Sequence, residues 1–331
     1  MKARTKAGIV AAIVLACVVA VVLWIQKKET DRPVASQTTK IRVGYQAIAS
    51  NIPFYVALEK GCFTKHGLEA EAVRFETADA AMDALIRGDI ATDFSVPLMV
   101  FLTREVQLPH ALMTYGFQMD TPGHTHEALL VTTGSVVRLI ADLKGKTIAT
   151  YPGVAAKAYF EECLRKAGFN DKDIQLKPIQ ASLHIQALQA GQVDALFTYE
   201  PLPTLGQHEG WSRVVESALF PRYILDPMPV TVFPILRAFV EKNPQTANAI
   251  VATIGDAITY IRENPEAANR TMVKYTTLKD ESIAGGVGQM LNVLAKDADL
   301  TQVQAFADWH VQKGLVTRSL RIADVVFRSG K

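Results

Sequence analysis

Ala187-Leu188-Gln189-Ala190-Gly191-Gln192-Val193-Asp194-Ala195-Leu196-Phe197-Thr198-Tyr199-Glu200-Pro201 contains a helix end, a glycine stop and an apolar strand in succession. Gly191 stands where a helix commonly closes on a left-handed glycine, so the spacing predicts a helix over Ser182 to Ala190. Val193 to Tyr199 then reads as a buried strand ended by Glu200-Pro201. The same order occurs earlier. Ala84-Leu85-Ile86-Arg87-Gly88 ends a helix whose apolar stripe is Ala81, Met82, Leu85 and Ile86, and a strand within Asp89 to Phe94 follows. Repeated helix–glycine–strand units with short connections predict an α/β chain built on open, largely parallel sheets.

Working outward, Ile41 to Tyr45, Leu68 to Phe75, His110 to Tyr115, Thr147 to Thr150 and Ile174 to Ile179 are further strand candidates. Pro53 opens a helix that stops at Gly61. Thr77 caps another, with Asp79 in its first turn, where the helix dipole favours negative charge. Pro97 starts a third. Val154 to Lys166 forms a fourth, with Tyr159, Phe160, Cys163 and Leu164 on its apolar side. From Arg237 onward the pattern is almost wholly helical, with starts at Asn243-Pro244 and Asn264-Pro265. No sheet of its own is evident there, so this segment is expected to pack back on one lobe.

The 331 residues suffice for two lobes of ordinary size, and a 49% apolar composition fits a folded chain. A net charge of +2, with no long basic run, gives no basic face for nucleic acid. Cys17, Cys62 and Cys163 form no CxxC pair, and an odd count argues against a disulfide framework.

Lys2, Arg4 and Lys6 precede an uncharged run from Ala7 to Ile25, and Trp24 lies at its far end. Such a run spans nearly 30 Å as a helix, about the thickness of a hydrocarbon core. Residues 1–25 are therefore expected to be a membrane anchor, with the rest of the chain extracytoplasmic. A lipoprotein at Cys17 ranks second and a cleaved signal peptide third. Residues 26–39 read as a flexible tether.

Three segments, in order, resemble the nitrate/sulfonate/taurine and thiamine-pyrimidine branch of ABC-transporter substrate-binding proteins. They are Ile52-Pro53-Phe54-Tyr55-Val56-Ala57-Leu58-Glu59-Lys60-Gly61-Cys62-Phe63 running on to Gly67-Leu68-Glu69, then Asp142-Leu143-Lys144-Gly145-Lys146-Thr147-Ile148-Ala149, then Gly191 to Pro201. The resemblance implies a two-lobe periplasmic-binding-protein (type II) fold with the ligand between lobes. On that template 40–132 and 233–331 form lobe one and 133–232 lobe two. It also implies an ABC permease as partner, no cofactor and no catalysis.

In open α/β sheets ligands bind beyond the carboxyl ends of the strands. The strand ends that match the family's cleft loops give the candidate contacts. In lobe one these are Gln46, Ser50, Asn51, Thr77, Asp93, Phe94, Ser95 and Tyr115. In lobe two they are Gly153, Val154, Tyr199 and Glu200. Anion-binding relatives place hydroxyl residues after the glycine that follows the first lobe-two strand. Here the run is Gly153-Val154-Ala155-Ala156, with no hydroxyl. Asp93 and Glu200 would also repel an anion, so a nitrogen-bearing or aromatic solute is expected over sulfonate or nitrate. A cap for Asp93 and a salt bridge for Glu200 are the plainer alternatives. His124-Thr125-His126-Glu127 has metal-ligand chemistry but follows the turn Pro122-Gly123, and a solvated loop is expected. The competing functions are a ligand-sensing ectodomain and a thiamine-pyrimidine-synthase-like enzyme, whose cysteine-rich motif is absent here.

Overall fold

The structure, a computed structural model, describes residues 38–329, and the expected anchor, Cys17 and nearly all of the tether lie outside them. Strand β1 (Thr39–Tyr45) leads into helices α1 (Ile52–Glu59) and α2 (Cys62–Lys65), β2 (Leu68–Arg74) and α3 (Ala78–Ile86). Then come β3 (Val96–Pro97), α4 (Leu98–Gln107), β4 (Leu112–Asp120) and β5 (Glu127–Thr132). Strand β6 (Thr147–Thr150), α5 (Val154–Lys166), β7 (Gln175–Pro178), α6 (His184–Gln189) and β8 (Ala195–Tyr199) follow. After α7 (Leu202–His208), β9 (Ser212–Ser217), α8 (Leu219–Tyr223) and β10 (Met228–Leu236) the chain is mainly helical. It runs through α9 (Arg237–Lys242), α10 (Pro244–Glu263), α11 (Pro265–Arg270) and α12 (Glu281–Ala284) to β11 (Leu291–Leu294) and α13 (Leu300–Gln312).

The helix stops read from sequence are in place: Gly88 and Gly191 adopt φ of 78° and 68°, a region that glycine enters without strain. Thr77 caps α3 by accepting the Ala80 N–H at 3.2 Å.

Two sheets organise the described residues, which form one compact unit. The second sheet has the order β7-β6-β8-β5-β9; β6 is parallel to β7 and β8, while β5 runs antiparallel to β8 and β9. The first has the order β11-β4-β10-β3, with antiparallel pairing throughout. The parallel pair β1-β2 joins it through Thr92, which bridges Val43 on one side and Ile235 on the other. The strand expected within Asp89 to Phe94 thus contracts to one residue. Its Oγ1 donates to Pro234 O at 2.8 Å, and the next residue, Asp93, accepts the Ser95 N–H, a local turn that competes with the ladder. The sheets are less parallel than expected because the strands on either side of each crossing run back along their neighbours.

The crossings also fall earlier than Thr132 and Val232. Glu127 already pairs with Tyr199 in the second sheet, and Met228 already pairs with Asp120 in the first. Strands β9 and β11 were not anticipated. Both are short edge strands with mixed burial, and neither alternates clearly enough to read. Helix α10 packs on α1 and α2, and α13 packs on β10 and α4, so the C-terminal helices cover the first sheet.

One buried cluster fills the first half around Phe54, Phe94, Tyr115, Phe233 and Ile254. A second runs through both halves, from Phe101 and Phe306 to Val131, Phe160, Phe197 and Phe220. Phe160 and Phe197 stack at 4.2 Å within it.

Candidate functional site

The carboxyl ends of β1, β6 and β8 converge on a cavity of about 90 Å³. Its lining includes six of the twelve residues expected from strand ends: Gln46, Ser50, Thr77, Ser95, Gly153 and Tyr199. The first half contributes a hydrogen-bonded polar floor. Ser95 Oγ donates to Ser50 Oγ at 2.6 Å, and Thr231 Oγ1 donates to Gln118 Oε1 at 2.5 Å. The second half contributes the N-terminus of α5. Gly153 precedes the helix in extended geometry, and Ala155 and Ala156 line the cavity, so first-turn N–H groups that no intrahelical carbonyl can reach lie beside it.

The other six expected residues lie elsewhere. Phe94 and Tyr115 are core: Phe94 is 0% exposed and packs against Phe54, Tyr115 and Phe233. Asn51 is buried and donates to Gln46 Oε1 at 3.4 Å. Val154 is 59% exposed, pointing away at the first position of α5. Asp93 is enclosed beneath the floor, where it accepts Gln46 Nε2 at 3.2 Å and the Ser95 N–H at 2.9 Å. It therefore positions two lining residues. Burial pushes its pKa up to about 6, against those same hydrogen bonds.

Glu200 is turned onto its own following helix. Its carboxylate accepts the Thr204 N–H at 3.2 Å and Thr204 Oγ1 at 2.9 Å, so it caps α7 instead of facing the cavity. Among the described residues no lysine or arginine is its partner. Burial raises its pKa to about 7, with the Thr204 bonds opposing. A carboxyl whose folded pKa lies above its unfolded value holds its proton longer when folded, so its contribution to stability falls as pH rises through that interval. Glu200→Gln is therefore expected to match the parent near pH 4.5 and to become progressively more stable than it between about pH 5 and pH 8. Urea titrations at several pH values check this; a difference that is flat with pH, or that grows toward acid, would reject the assignment.

His126 reverses the expectation of a solvated loop. His124 is exposed, but His126 is 5% exposed and lines the cavity, and Glu127 opens β5 as a buried residue. His126 Nδ1 lies 3.0 Å from Asp120, and its ring stacks on Tyr199 at 4.9 Å with a 2° interplanar angle. Asp120, His126 and Glu127 offer ligand atoms within 4.8 Å of one another. That spacing would suit a cation, but Nδ1 is engaged with Asp120, and Glu127 accepts the Phe220 N–H at 2.8 Å and the Thr125 hydroxyl. Asp120 and His126 are thus bonded to each other, and Glu127 beside them is held by Phe220 and Thr125. Burial pushes the Glu127 pKa up to about 7, and Asp120 adds to it.

Tyr151, Tyr159 and Thr231 are among the further lining residues outside the expected set. Tyr151 directly precedes the expected Pro152-Gly153 turn and lies 4.8 Å from Tyr199. Tyr159 was read as part of the apolar stripe of α5, which it is, but it also reaches the cavity. Its hydroxyl meets His310 Nε2 at 2.8 Å, on α13. Thr231 lies on β10, a strand that the sequence did not mark. Glu76 and Asp79 line the cavity as well, and among the described residues that line it no lysine or arginine occurs.

A two-sheet α/β unit with a cavity at the convergent strand ends is the architecture of the solute-binding proteins. The chain belongs to the NMT1-like family, which it matches over residues 34–276. It is 26% identical to a protein of Brucella abortus named as a binding protein, over 71% of each chain. It is 25% identical to a Haemophilus influenzae protein named for thiamine biosynthesis, over 88% of this chain and 91% of that one. The crystal structure of the alkanesulfonate-binding protein of Xanthomonas axonopodis pv. citri, bound to MOPS, superposes with a TM-score of 0.71 at 20% identity. That match covers 89% of this chain and all of the other, and it shows the shared periplasmic-binding-protein fold.

Proposed function

We propose that this chain is an extracytoplasmic solute-binding protein that captures a small planar solute, neutral or cationic and bearing nitrogen, and delivers it to an ABC-type importer. The composition of the cavity wall carries this reading. Tyr151, Tyr159, Tyr199 and His126 present ring surface, while Glu76 and Asp79 are the acidic groups and no lysine or arginine is there to match a sulfonate or nitrate. The family and the relatives named as binding proteins support transport over catalysis. Residues 7–25 would hold the protein at the outer face of the membrane. Among the described residues no helix is long and apolar enough to cross one.

One preparation tests these points. The full-length chain is expected in the membrane fraction, with an intact mass that shows no acyl group on Cys17. In detergent, aminopyrimidines and arylamines should raise its melting temperature, and nitrate and methanesulfonate should not. A larger shift with methanesulfonate would overturn the solute preference, and turnover of a bound compound without a partner would move the protein to the enzymes.

A further inference from the structure

Tyr159 lies on α5, in the second half, and lines the cavity, yet among the described residues both hydrogen-bond partners of its hydroxyl belong to the first half. The oxygen accepts the Met99 N–H at 3.3 Å. Met99 is the second residue of α4, where no intrahelical carbonyl can reach the amide. A side chain from the other half thus serves that helix's N-terminus. On its other side the hydroxyl lies 2.8 Å from His310 Nε2, on α13.

The far side of the imidazole fixes the direction of that second bond. His310 Nδ1 lies 2.6 Å from the Phe306 carbonyl oxygen, which only accepts, so Nδ1 carries the proton. His310 is 0% exposed, and burial brings its pKa down to about 4 against that carbonyl contact. The ring is therefore neutral and Nε2 is bare. The Tyr159 hydroxyl, whose pKa burial raises, keeps its proton and donates it to Nε2. The rings of Phe306 and Trp309 pack on Tyr159 at 5.7 and 6.3 Å. One turn further along α5, Glu162 accepts Lys313 Nζ at 2.9 Å, a second polar tie between α5 and the end of α13.

Resting on the binding function proposed above, we infer that His310 is a positioning residue for the solute: through the Tyr159 hydroxyl it latches the second half against the first and sets how firmly the cavity closes. His310 does not itself line the cavity, so it acts only through the tyrosine. Because the hydroxyl is engaged on both sides, Tyr159 offers the solute its ring face and no donor. Moving the halves apart breaks both bonds at once and leaves the Met99 amide and His310 Nε2 without that partner. The bonds belong to the closed arrangement, and their free energy adds to the affinity for any solute that holds the halves together.

The full-length protein in detergent tests this, with aniline and cytosine as probes. Tyr159→Phe keeps the ring and removes the hydroxyl. It should weaken whichever probe binds by about tenfold and speed hydrogen exchange at the Met99 amide. His310→Asn, which keeps a donor for Phe306 and removes the acceptor, should match that loss, and the two changes together should cost no more than either alone. His310→Gln, whose side-chain oxygen reaches toward the place of Nε2, should recover most of it. Saturating probe should slow exchange at Met99 in the parent and not in Tyr159→Phe. An affinity unchanged by Tyr159→Phe while the melting temperature falls makes the bond structural only and overturns the inference, even where His310→Asn fails to fold. A nitrogen spectrum that puts the His310 proton on Nε2, or additive losses in the double variant, overturns it as well. If the parent binds neither probe, the solute class proposed above falls, and Met99 decides the latch by itself: faster exchange in Tyr159→Phe upholds it, and equal rates overturn it.

Discussion

Phe94→Ala is expected to destabilise the protein by about 3–5 kcal/mol and to lower its melting temperature by roughly 10 °C. The ring is 0% exposed and packs against three other aromatic rings. It stacks on Phe54 at 5.7 Å and meets Tyr115 and Phe233 edge-on at 6.4 and 5.8 Å. Deleting it loses the transfer free energy of the ring. It also leaves a cavity that β4, β10 and α1 cannot close without disturbing one another. Solute affinity, measured well below the melting temperature, should change less than twofold, because the ring does not line the cleft. Denaturant melts and calorimetric titration separate the two quantities. A large loss of affinity with an unchanged melting temperature would restore Phe94 to the binding site.

Gly116→Val is expected to cost about 3 kcal/mol or more, and to lower the yield of folded protein. A side-chain carbon at Gly116 would come within 2.2 Å of Phe233 Cδ2 and 3.0 Å of the Val293 carbonyl oxygen. The first contact is a ring already locked among Phe94 and Tyr115. The second is backbone of β11, which pairs with β4 as far as Leu294 opposite Gly116. Neither neighbour moves cheaply. Gly116→Val combined with Phe233→Ala should therefore lose less than the sum of the two single changes, since the shorter side chain removes the first clash. Additive losses in urea denaturation would show that the ring is not what excludes the side chain.

Local punctuation was legible wherever one residue decides the backbone. Gly88 and Gly191 end helices, Thr77 caps one, and Pro53 lies in the first turn of another, each because its conformational range or donor set fits that place. Short edge strands were not legible. Ser212–Ser217 and Leu291–Leu294 gain their strand geometry from a neighbour that already exists, and four to six residues of mixed polarity do not announce that pairing. Thr92 is the extreme case, since one residue completes a sheet between Val43 and Ile235.

The candidate site divides along the same line. Strand ends that match the family's cleft loops could be read from sequence, and Gln46, Ser50, Thr77, Ser95, Gly153 and Tyr199 from that set line the cavity. Rotamer and depth could not. Asp93, Phe94 and Tyr115 sit near strand ends yet point into the floor or the core, and Glu200 turns back onto Thr204.

The sequence by itself determined the family and the alternation of helix and strand. The family is carried by three segments that resemble it, and the alternation follows from periodicity and from residues with restricted backbones, which act over a few positions. Only the tertiary structure decided what faces the cavity. Asp120 and His126 are six residues apart on different sides of a turn, and Tyr159 reaches His310 across the whole second half of the chain. Burial and partner choice are set by chain segments far away in sequence, and no local pattern carries that information.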